Sequence, residues 1–326
     1  MLLKMFSSPY IRMSRIDHWP KNILILPGYF FAMNLSNLNL ISFLYFKNLF
    51  LVVVSACFAS SANYILNEFV DARTDAYHPS KKNRAAVIHS YSPIKIAAVY
   101  LAWAISSIVL ISFSKIGIVL IVIYLILGLL YNIKPIRLKD IPYIDIISES
   151  ANNPIRLVLG WASAASDTTP LTLIIGFWCI GAFLMGAKRH SELIQLSLVL
   201  EKSEIIKYRK SFSVYTIHNL FFFSNILAYL SIISFSIFSI KYNTMFIFFT
   251  VIVAFWIVDY GSQVNIPDSM LQNPEKLIKS RKNFFYAAMV ITSFFMAQFV
   301  NIDLVNSILS TTNLNFIDFW ETLLNS

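Results

Sequence analysis

Asn67, Asp71 and Asp75 stand at four-residue intervals in Asn67-Glu68-Phe69-Val70-Asp71-Ala72-Arg73-Thr74-Asp75, where an apolar segment gives way to a basic stretch. On a helix, residues four apart share one face, so the three side chains form a polar column rising roughly 6 Å per step. Mg²⁺ suits such a column. It prefers oxygen ligands, keeps several waters, and is usually held by one or two carboxylates together with substrate phosphates. The column therefore reads as a diphosphate site in which Asn67, Asp71 and Asp75 hold the metal and the two aspartates carry the catalytic load. A solvated helix end is the alternative. Against it, the run leads directly into His78-Pro79-Ser80-Lys81-Lys82-Asn83-Arg84, which gathers cations within a few residues of the acids.

Three further groups could complete a site. Asp145, Glu149, Asn152 and Arg156 are separated by four, three and four residues, with Asn153 beside them, inside an otherwise apolar segment. Ionisable groups inside a bilayer are costly and face a cavity or a partner. This stripe is either a hydrophilic cavity wall opposite the aspartate column or an internal Glu149 to Arg156 cluster that locks the helix to a neighbour. Lys188 and Arg189 with Glu192 form the second group. They read as a phosphate clamp, Arg giving a planar fork and Lys a point charge, or as a basic pair that only sets topology. Tyr131, Lys134, Arg137, Lys139 and Asp140 make the third, either a substrate-binding loop or positive charges on a turn closed by Pro135.

The elements that must position these groups are membrane helices. At 57% hydrophobic and 13% charged residues over 326 positions, the chain is too apolar for a soluble globule. Runs able to cross a roughly 30 Å hydrocarbon core are predicted at 23–40, 48–66, 94–113, 116–131, 141–165, 171–187, 213–240, 244–258 and 284–300. The chain thus reads as all-α and polytopic, with nine transmembrane helices in a single domain, 1–326. Of the 26 Lys and Arg residues, all but Lys47, Lys115, Lys241 and the in-span Arg156 fall on one side of this topology. That bias makes the side cytoplasmic, with the N-terminus and the chemistry-bearing loops inside. The tail after Val300 has no Lys or Arg and carries Asp303, Asp318 and Glu321, so it is expected outside. No cleavable signal peptide is expected, because the first apolar run starts late and is long enough to span.

The inner segment from Lys188 to Phe212 mixes Leu193, Leu196, Leu200 and Ile205 with charges, and is predicted to form an amphipathic inner-face cap. Cys57 and Cys179 fall in spans and read as packing residues. The five histidines, His18, His78, His89, His190 and His218, lack zinc-enzyme spacing. The aromatic residues, 15% of the chain with a run at Phe221-Phe222-Phe223, read as packing or interfacial anchors.

Together these residues resemble the UbiA-type superfamily of intramembrane prenyltransferases, nine-helix proteins whose NxxxDxxxD signature corresponds here to Asn67, Asp71 and Asp75. Within it, three features resemble the polyprenyl-phosphate (decaprenyl-phosphate) phosphoribosyltransferase branch. They are His18-Trp19-Pro20-Lys21-Asn22, the run from His78 to Arg84, and Gly186-Ala187-Lys188-Arg189 followed by Glu192. The chain departs from the aromatic prenyltransferases in having Lys188, Arg189 and Glu192 where they carry a second DxxxD. It departs from the phosphoribosyl branch in having Glu68 in place of Asp and a longer interval from Tyr131 to Lys139. The segment from Tyr131 to Asp145 also resembles members that alkylate polyenes or quinones.

The resemblance implies Mg²⁺-dependent transfer of 5-phosphoribosyl from 5-phosphoribosyl 1-diphosphate to a polyprenyl phosphate, in cell-envelope glycan precursor synthesis at a bacterial inner membrane. The alternative is prenyl transfer from a prenyl diphosphate to an aromatic or polyene acceptor. Lys21, Lys81, Arg84, Tyr131, Lys139, Asp145, Arg156, Lys188, Arg189 and Glu192 are the implied substrate-binding residues, with Asn67. The partners are then a lipid phosphate, a diphosphate-bearing donor and membrane lipids rather than nucleic acid, with a homo-oligomer among the assemblies the sequence allows. A noncatalytic transporter or scaffold is the reading from another class. Paired carboxylates at a span end argue against it, and broken half-helices at the midplane are not evident.

Overall fold

The computed structural model describes residues 9–36, 43–79, 81–263, 281–299 and 305. No strand occurs among them; the chain is a bundle of helices. In order these are α1 (Ile25–Leu35), α2 (Phe43–Asp75), α3 (Pro93–Leu110), α4 (Lys115–Asn132), α5 (Ile144–Ser150) and α6 (Asn152–Ala164). Then come α7 (Leu171–Val199), α8 (Lys202–Tyr208), α9 (Ile217–Tyr242), α10 (Phe246–Ser262) and α11 (Arg281–Phe299). Short helical turns at Pro9–Met13, Ile16–Leu24, Lys81–Asn83, Ala85–Ile88, Leu138–Asp140 and Lys210–Ser213 connect or precede them.

Among the described residues, α2, α3, α4, α7 and α9 are long and apolar enough to cross a membrane. Helix α10 is apolar but has 17 residues. The described helix of the first predicted span stops at Leu35, with 37–40 outside the described residues. The last predicted span is helical from Arg281 to Phe299, and the acidic C-terminal tail lies outside the described residues. Large apolar side chains such as Leu101, Ile105 and Val109 on α3, or Phe222, Tyr229 and Ile233 on α9, point outward and are exposed. In a soluble protein such contiguous patches would be a liability; here they are the lipid-facing surface.

Helix α2 has 33 residues, about 50 Å at 1.5 Å per residue, well beyond the ~30 Å hydrocarbon core. Its last turns must therefore project, and these carry Asn67, Asp71 and Asp75. Helix α7 does the same. The sequence reading ended the sixth span at Ala187 and put Lys188 to Phe212 in a cap, but α7 runs unbroken to Val199. Lys188, Arg189 and Glu192 thus sit on a projecting helix, and only residues 202–213 form the cap. The capping box Glu201/Glu204 starts that cap helix cleanly.

The buried small residues Ser55, Ala56, Ala59, Ser60, Ser61 and Ala62 let α2 pack closely against its neighbours, as membrane helices require. The Ser55 hydroxyl donates to the Ser107 carbonyl on α3 at 2.7 Å. Helices α1 and α6 meet through two reciprocal glycines. A Cβ on Gly28 would lie 1.8 Å from the Leu157 carbonyl oxygen, and one on Gly160 would lie 1.9 Å from that of Ile25. Only glycine permits that backbone approach.

The predicted fifth span is interrupted. Helix α5 ends at Ser150, α6 starts at Asn152, and Ala151 joins them. Pro154 has no N–H to donate to the Ser150 carbonyl one turn earlier. The Asn152 side chain instead donates to the freed Glu149 carbonyl at 3.0 Å. Ala151 keeps right-handed helical backbone (φ −57°, ψ −19°) and its N–H still donates to the Ile147 carbonyl, so α6 continues α5 through a local interruption, and Asp145, Glu149 and Arg156 take different partners along it.

Candidate active site

The projecting ends of α2 and α7 form two walls of a polar cavity of about 400 Å³. The loop from Arg137 to Asp140, the segment from His78 to Arg84, the turn carrying Arg15, His18 and Lys21, and the cap residues Tyr208 and Arg209 complete its lining. Nine Lys or Arg side chains face six carboxylates there. The cavity thus carries a positive excess suited to a multiply charged anion.

The α2 wall is built as the four-residue spacing predicts, with Asn67, Asp71 and Asp75 all lining the cavity. Asp71 Oδ1 accepts from Arg137 Nη2 at 3.1 Å and also from Lys139. Asp75, buried, is paired with Arg84. Glu68, one residue past Asn67, receives Arg15 Nε at 3.3 Å. Arg15 and Arg137 both hold left-handed backbone, with φ of 48° and 32°, which disfavours non-glycine residues. Each directs its guanidinium to an α2 carboxylate, and strain of this kind gathers where binding groups must be placed.

The donor set fits Mg²⁺. Asp71 and Asp75 supply hard oxygens with an amide oxygen from Asn67 in the same column. Both cations on Asp71 take a single oxygen, Oδ1. Among the described residues no cluster of three or more His, Cys, Asp or Glu could hold an ion by itself. Ligand phosphates and water would have to complete the shell, as is usual for this ion.

The α7 wall divides its cations by role. Arg189 is 3% exposed and its guanidinium is consumed by carboxylates, through Glu149 at 2.7 Å, Glu192 at 3.0 Å and Asp145 at 3.4 Å. Lys188 lines the cavity and makes no hydrogen bond or ion pair among the described residues. The clamp expected of both residues thus has one free cation, Lys188, and one, Arg189, that ties α7 to α5. The Glu149 to Arg156 pairing weighed from sequence does not occur: Arg156 is held by Asn22, Tyr124 and Asn153. Glu149 instead accepts from Arg189 and from the Tyr131 hydroxyl at 2.7 Å.

Glu192 Oε1 accepts from Lys81 Nζ at 2.7 Å and from the Tyr208 hydroxyl at 2.7 Å. Lys81 lies 4.6 Å over the Tyr208 ring, so the cap is fastened to both walls at once. Burial pushes the Lys81 amine below its usual range despite the Glu192 charge, and raises the Tyr208 phenol well above its own. Burial likewise brings the Lys139 amine down to about 8, with Asp71 opposing the shift. Backbone N–H of Lys81 donates to His78 Nδ1 at 3.3 Å, while His78 Nε2 lies 3.6 Å from Glu192. Both ring nitrogens are engaged.

Of the residues expected to bind substrate, Asn67, Lys21, Lys81, Arg84, Tyr131, Lys139, Lys188, Arg189 and Glu192 all line this cavity. Asp145 and Arg156 do not. Asp145 is fully buried beneath it, accepting from Tyr215 and from Ser211 Oγ at 3.2 Å. Lys82 and Lys134 are exposed and outside the lining. Arg15, Tyr64, Tyr208 and Arg209 line the cavity without having been selected, and Arg137, named only as part of the basic loop, lines it too. Nothing in the spacing marked the cap pair Tyr208 and Arg209, whose Nη2 donates to the Tyr131 hydroxyl at 2.8 Å.

The sequence matches the UbiA prenyltransferase family over residues 24–270. The chain belongs to that family. It is therefore a transferase of the membrane-embedded UbiA type. A lycopene elongase/hydratase of Haloarcula japonica is 27% identical over 115 residues, 35% of this chain and 39% of that protein. The match thus spans about two fifths of that relative. The fold is similar to that of a UbiA homologue from Archaeoglobus fulgidus, solved with DMAPP and Mg²⁺, with a TM-score of 0.66 and 15% identity. The similarity covers 90% of this chain and all of the other. The same homologue with GPP and Mg²⁺ gives 0.66 and 16% over equal shares. A digeranylgeranylglyceryl phosphate synthase structure gives 0.59 and 14%, over 89% of this chain and 97% of that one.

Proposed function

We propose that this UbiA-type transferase moves 5-phosphoribosyl from 5-phosphoribosyl 1-diphosphate to a polyprenyl phosphate, releasing diphosphate, in a nine-helix membrane bundle. The observation that carries the reading is the asymmetry of the two walls. One bears the acidic pair Asp71 and Asp75, whereas the other bears Lys188, Arg189 and Glu192, with Lys81 and Arg209 across from them. An acidic wall facing one that offers the cation Lys188 suits a donor with a diphosphate at one end and a second phosphate at the other. About 400 Å³ is within the range of small-ligand sites.

Bound at Asn67, Asp71 and Asp75, Mg²⁺ would offset charge on the leaving diphosphate. Lys139, Arg137 and Arg84 contact those same aspartates and are placed to turn toward phosphate oxygens. Lys188, which makes no hydrogen bond or ion pair among the described residues, takes the donor's remaining phosphate. The bond from C1 to the diphosphate oxygen breaks with its electron pair going to diphosphate. An oxygen of the lipid phosphate forms the new bond from the opposite face, inverting C1. That nucleophile is already ionised, so no general base is needed, in keeping with a His78 whose two nitrogens are occupied. The cap residues Tyr208 and Arg209 cover the reacting centre and keep water from competing.

Prenyl transfer to an aromatic or polyene acceptor is the second reading, favoured by the partial likeness to a lycopene elongase/hydratase. Purified protein supplied with Mg²⁺ and either donor, in separate reactions with each acceptor class, distinguishes them by product mass. A lipid heavier by one phosphoribosyl group supports the first reading, and a prenylated acceptor supports the second.

A further inference from the structure

Arg156 is 6% exposed in the middle of the bundle, and no carboxylate among the described residues pairs with it. Its guanidinium donates only to neutral oxygens: Asn22 Oδ1 at 2.8 Å, the Tyr124 hydroxyl at 2.9 Å and Asn153 Oδ1 at 3.4 Å. It also lies 5.5 Å from the Tyr124 ring centre. Every other arginine of this region is matched to an acid: Arg15 to Glu68, Arg84 to Asp75, Arg137 to Asp71, and Arg189 and Arg209 to Asp145. Three neutral acceptors call for N–H donors but not for a positive charge. What packing leaves unexplained is the charge, which is costly inside a membrane bundle unless an anion meets it.

The depth of this cation can be read along α2. Ser60 Oγ lies 3.0 Å from the Tyr124 hydroxyl and 3.5 Å from Asn22 Nδ2, so the Arg156 cluster sits at the level of Ser60. One turn nearer the polar end, Tyr64 lines the cavity, and it is an electrostatic neighbour of both Arg156 and Glu149. The unmatched cation is therefore about one helical turn, roughly 6 Å, below the cavity floor, and some 16 Å below the level of Asp71. A charged donor reaches the cavity from water. An acceptor whose tail lies in hydrocarbon presents its head from the opposite direction, toward the level of Arg156.

The geometry points to Arg156, oriented by Asn22 and Tyr124, as the anchor for the oxyanionic head of the lipid acceptor, separate from the diphosphate subsite. This rests on the transfer reading above, in which that head is a phosphate monoester on an isoprenoid chain. The planar fork of arginine suits phosphate oxygens and is preorganised here by three fixed oxygens.

The test uses the full chain in lipid nanodiscs, with binding of farnesyl phosphate measured without donor. Wild-type protein should bind farnesyl phosphate at least about 10-fold more tightly than farnesol, and saturating inorganic diphosphate with Mg²⁺ should change that affinity by no more than about twofold. Arg156→Gln should weaken farnesyl phosphate at least about 10-fold and leave Mg²⁺-diphosphate binding within about twofold. Arg156→Lys, which keeps the charge and loses the fork, should weaken it several-fold, and it decides the matter together with the wild-type competition if the glutamine variant does not fold. Displacement of farnesyl phosphate by diphosphate, unaltered binding in the variants, or equal loss of both ligands overturns the anchor. The two claims fail separately. If wild-type protein ignores 5-phosphoribosyl 1-diphosphate while farnesyl phosphate still depends on Arg156, only the donor assignment falls. If phosphoribosyl transfer proceeds with an unchanged acceptor KM in Arg156→Gln, only the anchor falls.

Discussion

Replacing Asp71 with asparagine should separate the two jobs of its carboxylate. In the ligand-free cavity Asp71 offsets Lys139 and Arg137, and under the proposed mechanism it would hold Mg²⁺ in turnover. The substitution leaves nine cationic side chains facing five carboxylates instead of six. An amide oxygen can still accept from both cations, so the fold should lose only about 1 kcal/mol. Binding of inorganic diphosphate in the presence of EDTA should then tighten. At an effective dielectric near 20, a unit charge roughly 6 Å from a phosphate repels it by about 3 kcal/mol before screening. Asp71 is 15% exposed and faces a polar cavity, so about 1 kcal/mol, roughly fivefold, is the expected gain. Turnover with Mg²⁺ should move the other way. Loss of one preorganised charge-stabilising element costs about 10² to 10³ in kcat. Titration of diphosphate by calorimetry without metal, beside kcat across a Mg²⁺ series, reads both effects. Weaker metal-free binding of diphosphate, or wild-type turnover at limiting Mg²⁺, would refute the assignment of Asp71 as a metal ligand among cations.

Lys188→Gln should raise donor KM about 10-fold with little change in melting temperature, because Lys188 lines the cavity and makes no hydrogen bond or ion pair among the described residues. Arg189→Gln should destabilise the fold by about 3–5 kcal/mol, since three acids lose their shared cation; thermal unfolding in detergent distinguishes the two. Burial holds the Lys81 amine below its usual 10.5. Its charged form exists below that lowered pKa and is lost as pH rises through it, so donor affinity should fall on the alkaline side, and Lys81→Met should remove that limb from a pH series of KM. Gly160→Ala places a methyl 1.9 Å from the Ile25 carbonyl oxygen and should cost about 1–3 kcal/mol, seen as a lower melting temperature; an unshifted transition would show that α1 and α6 can part freely.

Much of the α2 wall was legible because four-residue spacing is a local property: once 43–75 is helical, Asn67, Asp71 and Asp75 share a face whatever the rest of the chain does. From Asp145 to Arg156 spacing alone does not give the partners: the helix is locally interrupted at Ala151, where Pro154 withholds a backbone donor, and Glu149 pairs with Arg189 on α7 rather than with Arg156. Equating apolar runs with helix ends also cut α7 at Ala187, although nothing there stops a helix and the chain continues to Val199. The pairing of charges was the least accessible part. Arg189 to Glu149 joins residues 40 apart, and Lys81 to Glu192 joins residues 111 apart. Such contacts are set by tertiary packing, as is the closing of Tyr208 and Arg209 over the cavity.

The most direct test of the central claim is the mass of the lipid product formed by purified protein given Mg²⁺, 5-phosphoribosyl 1-diphosphate and a polyprenyl phosphate. The expected product is a lipid phosphate carrying one phosphoribosyl group, with one diphosphate released per product and both lost with EDTA. Failure to consume 5-phosphoribosyl 1-diphosphate, alongside turnover of a prenyl diphosphate with an aromatic or polyene acceptor, would contradict it.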